Sequence, residues 1–230
     1  MVTGQAWVVG GGGGIGGACA EGLAADGFAI HASDRPDEDV TQAGVAAQVA
    51  ERIAATGPLV AVVHAIGMSG RRFGDGPPST CTDEGWDEIL RVDLTSAFYV
   101  VRACLNQCAP GASVVLIGSA LAVGLDDDFL TVAYRVAKAA LVPLVQAAAY
   151  EGARKGIRFN IVAPGLVDTP MAARALGSPE ISARFPRLMP LTSRPASPEE
   201  VAAAVRWLVS EHAPQTTGAV LPVDGGWLLR

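Results

Sequence analysis

Val9-Gly10-Gly11-Gly12-Gly13-Gly14-Ile15-Gly16 constrains this chain more than any other stretch. It lies between Ala6–Val9, a short apolar run that reads as a strand, and Ile15–Asp26, which reads as a helix ending at Gly27. Glycine reaches positive φ without steric cost and lets another group approach the backbone closely. The start of a helix offers unpaired N–H groups and a partial positive charge, which suit a pyrophosphate. A glycine run alone is weak evidence. A strand before it and a helix after it, in the first strand–helix–strand unit, give it the setting of a dinucleotide-binding turn. Gly10, Gly14, Ile15 and Gly16 are assigned to that turn.

The rest of the chain repeats the alternation. Phe28–Ala32, Leu59–His64, Ser113–Ile117, Ile157–Val162 and Ala219–Val223 read as strands. Ala43–Ala55, Trp86–Cys108, Ala133–Gly152 and Pro198–Ser210 read as helices, the last opened by Ser197 as N-cap with Glu199 and Glu200 in its first turn. This order predicts an α/β fold: a Rossmann-type, doubly wound parallel sheet flanked by helices. Few aromatics and 27 glycines fit strands packed closely against helices on both faces. At 230 residues, with no linker or repeat dividing it, the chain is expected to be one dinucleotide-binding catalytic domain, residues 1–230.

In such sheets the ligand sits beyond the C-terminal strand ends, at the topological switch point. Asp34 falls at the end of the second strand, where a carboxylate accepts hydrogen bonds from the adenine ribose hydroxyls and repels a 2′-phosphate. The glycine turn carries no Lys or Arg. NAD is therefore favoured over NADP; in the opposite case Arg35 would take the phosphate.

A net charge of −6 argues against nucleic acid or an anionic membrane as partner. No apolar run reaches the roughly 18 residues of a membrane span, and no signal peptide precedes the first strand. A soluble, cytoplasmic protein is expected. Cys19, Cys81, Cys104 and Cys108 form no CxxC pair. Cys104 and Cys108 share a helix face, but no nearby His completes a zinc site, so buried free thiols and no metal are expected.

Tyr134-Arg135-Val136-Ala137-Lys138 sets Tyr and Lys four apart on one helix face. A phenol has an ordinary pKa near ~10, and a neighbouring ammonium favours the phenolate. Alone, the spacing is a common accident. Its meaning comes from Ser119 at the end of the preceding strand and from the glycine turn. Together these residues resemble the classical short-chain dehydrogenase/reductase family over essentially the whole length. Gly10-x-x-x-Gly14-Ile15-Gly16 is similar to its cofactor motif; Ser119, Tyr134 and Lys138 to its catalytic trio; Ile157 to Gly165 to its penultimate strand and Pro-Gly turn. Ser197-Pro198-Glu199-Glu200-Val201 and Val223-Asp224-Gly225-Gly226 are similar to its last helix and closing strand.

The resemblance implies a hydride exchange between a nicotinamide and a small secondary alcohol or ketone. Tyr134 would give or take the proton, Ser119 would polarise the substrate oxygen, and Lys138 would hold the nicotinamide ribose and lower the phenol's pKa. Thr169 and the backbone of Val167, after Pro164-Gly165, would hold the carboxamide. A homotetramer or homodimer through the helices Trp86–Cys108 and Ala133–Gly152 is also implied.

Several positions depart from the family pattern. Val9 stands where a Thr is usual, and His64-Ala65-Ile66-Gly67 replaces Asn-Asn-Ala-Gly. His64, Ala65 and Gly67 are still counted with the cofactor site, His64 filling the Asn's structural place. Asp93 replaces the catalytic Asn that holds the water of a proton relay. The spacing from Ser119 to Tyr134 is about two residues longer than usual, the excess falling at Asp126-Asp127-Asp128, a solvated acidic loop or, alternatively, a device that rejects anionic substrates. The region after Asp34 is short. It predicts a missing helix and a vestigial third, edge strand near Asp39-Val40, the pair expected beside the adenine. Residues 169–192 form the expected substrate lid, with Met171, Leu176, Phe185, Leu188 and Met189 as apolar members; Arg174, Arg184 and Arg187 are read as solvent-exposed cations, with pairing to a substrate carboxylate or phosphate as the alternative. The competing functions are a 3-oxoacyl-thioester reductase, a catalytically silent NAD-binding subunit and a sugar epimerase.

Overall fold

Six apolar runs build one parallel sheet. In the computed structural model, which describes residues 4–229, the strands are β1 (Gln5–Val9), β2 (Ala29–Ser33), β3 (Leu59–His64), β4 (Ser113–Ile117), β5 (Arg158–Pro164) and β6 (Val220–Val223). They pair in the order β2-β1-β3-β4-β5-β6, every pair parallel. The helices are α1 (Gly14–Ala25), α2 (Val45–Ala54), α3 (Asp83–Ile89), α4 (Ser96–Gln107), α5 (Val132–Gly152), three single turns α6 (Ala173–Leu176), α7 (Pro179–Ser182) and α8 (Phe185–Leu188), and α9 (Pro198–Val209).

The central strands β1, β3 and β4 are apolar and buried on both faces because both are covered, whereas the edge strands β2 and β6 are partly exposed. Trp7, Val9, Val62, Val114 and Leu116 pack with α2, α4 and α5, while their neighbours Ala6, Val8, Val63, Val115 and Ile117 pack with α1 and α9. Ser197 caps α9 as its sequence predicts: its Oγ accepts from Glu200 N at 3.4 Å, and the Glu200 carboxylate accepts from Ser197 N at 2.8 Å.

The structure bears on four sequence expectations. Trp86–Cys108 is not a single α-helix starting at Trp86. Thr82 caps the segment, its Oγ1 accepting from Gly85 N at 3.0 Å, so α3 begins at Asp83. A π-helical turn, Leu90–Thr95, then separates α3 from α4. Such widened turns recur at functional sites, and this one carries Asp93. Second, residues 34–44 hold no helix, as expected, but no edge strand either. Glu38 ties this loop together instead, accepting from Ser33 Oγ at 2.5 Å and pairing with His31 and Arg52, while Asp39 Oδ1 accepts from Thr41 N and Oγ1. Third, the one helical segment among the described residues that is long and apolar enough on average to cross a membrane, Val132–Lys155, is interrupted by Arg135 and Lys138; it packs against β5 and α4 and carries Tyr134 and Lys138. Fourth, of the lid's apolar members only Met171 lines the cavity described below. Leu188 and Met189 are buried, with Leu176 and Phe185 against them, in a cluster around Trp227 that pins the lid to the sheet.

Candidate active site

The chain leaves β1 toward β2 on one side and β3 on the other, and the main cavity opens at that switch point. It measures about 680 Å³. At one end are Gly10, Gly13, Gly14 and Ile15. Gly10 has φ 82°, a conformation that favours glycine, and donates its N–H to Ser33 O at 2.8 Å. A Cβ on Gly16 would overlap Gly10 O. Gly16 therefore lies behind the turn, letting α1 pack close to it, rather than in the cavity wall. No side chain caps α1, which leaves the helix start available to an anion.

Asp34, at the end of β2, reaches back over this turn. Its Oδ2 accepts from Gly12 N at 3.1 Å and its Oδ1 from Arg35 N at 2.8 Å. Arg35 and Asp39 also line the cavity. Val40 does not: it is fully buried against Trp7 and α2, since without an edge strand the loop folds inward. Ala65, Gly67, Pro164, Gly165, Val167 and Thr169 also line the cavity. The uncapped helix start, the Asp34 carboxylate and this long groove fit a nicotinamide dinucleotide.

Ser119, Tyr134 and Lys138 meet at the other end. Ser119 Oγ accepts from Leu121 N at 3.1 Å, which leaves its own proton to donate. Lys138 Nζ lies 5.8 Å from the centre of the Tyr134 ring. The ammonium donates to Ile66 O and Ile117 O, both at 3.2 Å, and stands 3.5 Å from Asp93 Oδ2. Burial pushes the Tyr134 phenol's pKa up; Lys138 pulls it down, Asp93 pushes it up, and a hydrogen bond with Ser119 pulls it down. The net direction is upward, so Lys138 opposes burial without overcoming it.

Besides Gly16 and Val40, two more expected residues stand behind the wall instead of in it. Asp93 is fully buried, its Oδ1 accepting from Met68 N at 3.0 Å. Burial raises its pKa, against the pull of Lys138. His64 is also fully buried, with Nε2 3.0 Å from Ser96 Oγ. The Ser96 hydroxyl donates to Val92 O at 2.5 Å, so His64 Nε2 is the donor and Nδ1 keeps a lone pair with no hydrogen-bond partner among the described residues. His64 therefore braces the π-helical turn and does not line the cofactor groove.

Sequence reasoning missed Asp75. This buried residue, in the loop after β3, caps the helix that carries Tyr134: its Oδ1 accepts from Ala133 N and its Oδ2 from Tyr134 N, both at 3.0 Å. Thr131, the N-cap position by sequence, makes no such bond. No local spacing reveals a cap 58 residues away. Asp75→Ala leaves two helix N–H groups without an acceptor. It is expected to lower unfolding free energy by about 2–3 kcal/mol, measured by urea denaturation; a change under about 0.5 kcal/mol would mean the cap is dispensable.

The acidic loop is not free. Arg184 of the lid binds Asp126 at 2.5 Å and also Asp128, while Arg71 and Arg174 donate to Asp128 O. Arg184, partly buried in these ion pairs, departs from the expectation of solvent-exposed lid arginines, whereas Arg174 and Arg187 are exposed as that expectation has it. An acidic loop neutralised in this way is a poor device for rejecting anions.

A family model described as enoyl-(acyl carrier protein) reductase matches residues 37–228. The inactive 2-(S)-hydroxypropyl-CoM dehydrogenase 2 of Xanthobacter autotrophicus is 35% identical, covering 91% of this chain and 90% of its own length. An uncharacterized short-chain type dehydrogenase/reductase of Sinorhizobium fredii is 33% identical over 96% of this chain, which spans only 43% of that protein. The structure of a short-chain type dehydrogenase/reductase from Mycobacterium ulcerans superposes with a TM-score of 0.88 at 30% identity, covering 98% of this chain and 90% of that one.

Proposed function

Because the chain belongs to the short-chain dehydrogenase/reductase family, we propose that it interconverts a secondary alcohol and its ketone with NAD as partner. The observation that carries this proposal is one continuous cavity with Asp34 and the glycine turn at one end and Ser119, Tyr134 and Lys138 at the other. When bound, the nicotinamide supplies the hydride acceptor or donor.

The chain's own residues do the rest. The Ser119 hydroxyl donates to the substrate oxygen and stabilises charge as it develops there. Tyr134 Oη gives that oxygen its proton in reduction and takes it in oxidation. Lys138 favours the phenolate and holds the ribose from the cavity floor. Thr169 and Val167 hold the carboxamide. Asp34 accepts from the adenine ribose hydroxyls. The exposed Phe98 and Tyr150 on α4 and α5 support pairing of copies through that face, readable by light scattering.

The test is turnover of a panel of secondary alcohols with NAD and NADP in parallel. NAD is expected to give the higher kcat/KM. Asp34→Ala removes charge-assisted hydrogen bonds of about 1.5–3 kcal/mol and should weaken NAD use by roughly 10–100-fold while leaving NADP use equal or improved. A wild-type preference for NADP would reverse the assignment and make Arg35 the phosphate ligand.

A further inference from the structure

Two guanidinium groups converge on one carbonyl at the substrate end of the cavity. Arg71, in the turn after β3, donates to Asp128 O at 2.9 Å, and Arg174, on α6 of the lid, donates to the same oxygen at 2.7 Å. Both side chains line the cavity that holds Ser119 and Tyr134. A guanidinium carries five N–H donors, so this shared acceptor leaves most of their capacity unused. The carboxylates nearest the pair are committed elsewhere: Asp128 and Asp126 to Arg184, Asp75 to the two N–H groups at the start of α5. The acidic side chains of the cavity wall, Asp34, Glu38 and Asp39, all come from the loop after β2, at the opposite end. Both guanidinium groups are solvent-exposed, and neither makes an ion pair within 4 Å among the described residues.

We propose that the Arg71–Arg174 pair recognises an oxyanion on the substrate, a carboxylate or a sulfonate, so that the alcohols and ketones handled here are anions. Resting on the dehydrogenase function proposed above, it supplies the substrate class. Planar, forked donors match such groups well. Burial and the charge of Arg174 lower the pKa of Arg71, outweighing the opposite pull of Asp75 and Asp128, as expected of a cation waiting for a partner. Because Arg174 belongs to the lid and Arg71 to the fixed wall, an anion bound between them also holds the lid down.

The experiment compares 4-hydroxypentanoate, its amide and the corresponding hydroxyalkane sulfonate, with wild type, Arg71→Gln/Arg174→Gln and Arg71→Lys. Wild type is expected to favour one or both anions over the amide by more than about tenfold in kcat/KM. The double variant should lose roughly 10–100-fold on the anions through KM while amide turnover stays within about twofold. Arg71→Lys, which keeps the charge but loses the forked donors, should fall between wild type and the double variant. Whichever anion is preferred identifies the group bound. Turnover of the amide and neutral alcohols without anion preference, or equal losses on both classes in the double variant, would overturn the inference and leave the dehydrogenase function standing. If nothing turns over, that function fails. Calorimetric titration of 4-hydroxypentanoate then decides the anion site alone: binding lost in the double variant supports it, and absent or unchanged binding overturns it.

Discussion

Tyr134→Phe is expected to lower kcat/KM for every alcohol and ketone by roughly 10²–10⁴-fold while NADH binding changes little. The substitution deletes one hydroxyl from a ring packed beside Ile89, Ala133 and Ala137, so the cavity wall keeps its shape. What is lost is the proton carrier. Burial, with Asp93 adding to it, raises the phenol's pKa against Lys138 and Ser119. Alcohol oxidation uses the phenolate, so its rate should climb as pH rises toward that pKa. Ketone reduction uses the protonated phenol and should fall over the same range. Both limbs should disappear in Tyr134→Phe. Retention of more than about a tenth of the activity with an unchanged pH profile would remove Tyr134 from proton transfer.

The second large effect concerns stability. Burial, reinforced by the charge of Lys138, pushes the His64 pKa down from its ordinary 6.5 to about 3. In the unfolded chain this imidazole takes a proton below about 6.5; in the fold it stays neutral until far lower pH. Its contribution to stability is therefore fully present above about pH 6.5 and lost as pH falls toward 3. Each pKa unit is worth about 1.4 kcal/mol, so the loss approaches roughly 5 kcal/mol across that window. His64→Asn keeps an amide donor for Ser96 and removes the titration. Urea unfolding at pH 7 and pH 4 should show wild type losing several kcal/mol more than His64→Asn. Equal losses would mean that His64 does not stay neutral in the fold.

Much of this architecture was legible because it rests on local signals. The glycine turn and the apolar strands need only backbone freedom and burial on both faces, and the Ser197 box needs three residues of spacing. The missing helix after Asp34 was legible too, as a simple shortage of chain. The complete loss of the edge strand was not, since Asp39 and Val40 carry the same residue types whether paired in a sheet or folded over Trp7. The break in the helix around Asp93 was hidden because a π-helical turn preserves the apolar pattern on either side of it. Distances in space explain the remaining gaps. Asp75 caps a helix far along the chain, and Arg71, Arg174 and Arg184 meet the acidic loop only because three separate segments fold over one cavity.

The most direct test of the proposed function follows the hydride itself. The protein is incubated with NADH carrying deuterium at both positions of C4 and a panel of ketones, neutral and anionic, and each alcohol product is examined by mass spectrometry. One deuterium on the carbinol carbon for each NAD formed is the expected result. Ketones left unreduced across the panel while NADH binds, or alcohol formed without deuterium, would mean that this cavity holds the dinucleotide for some purpose other than hydride transfer.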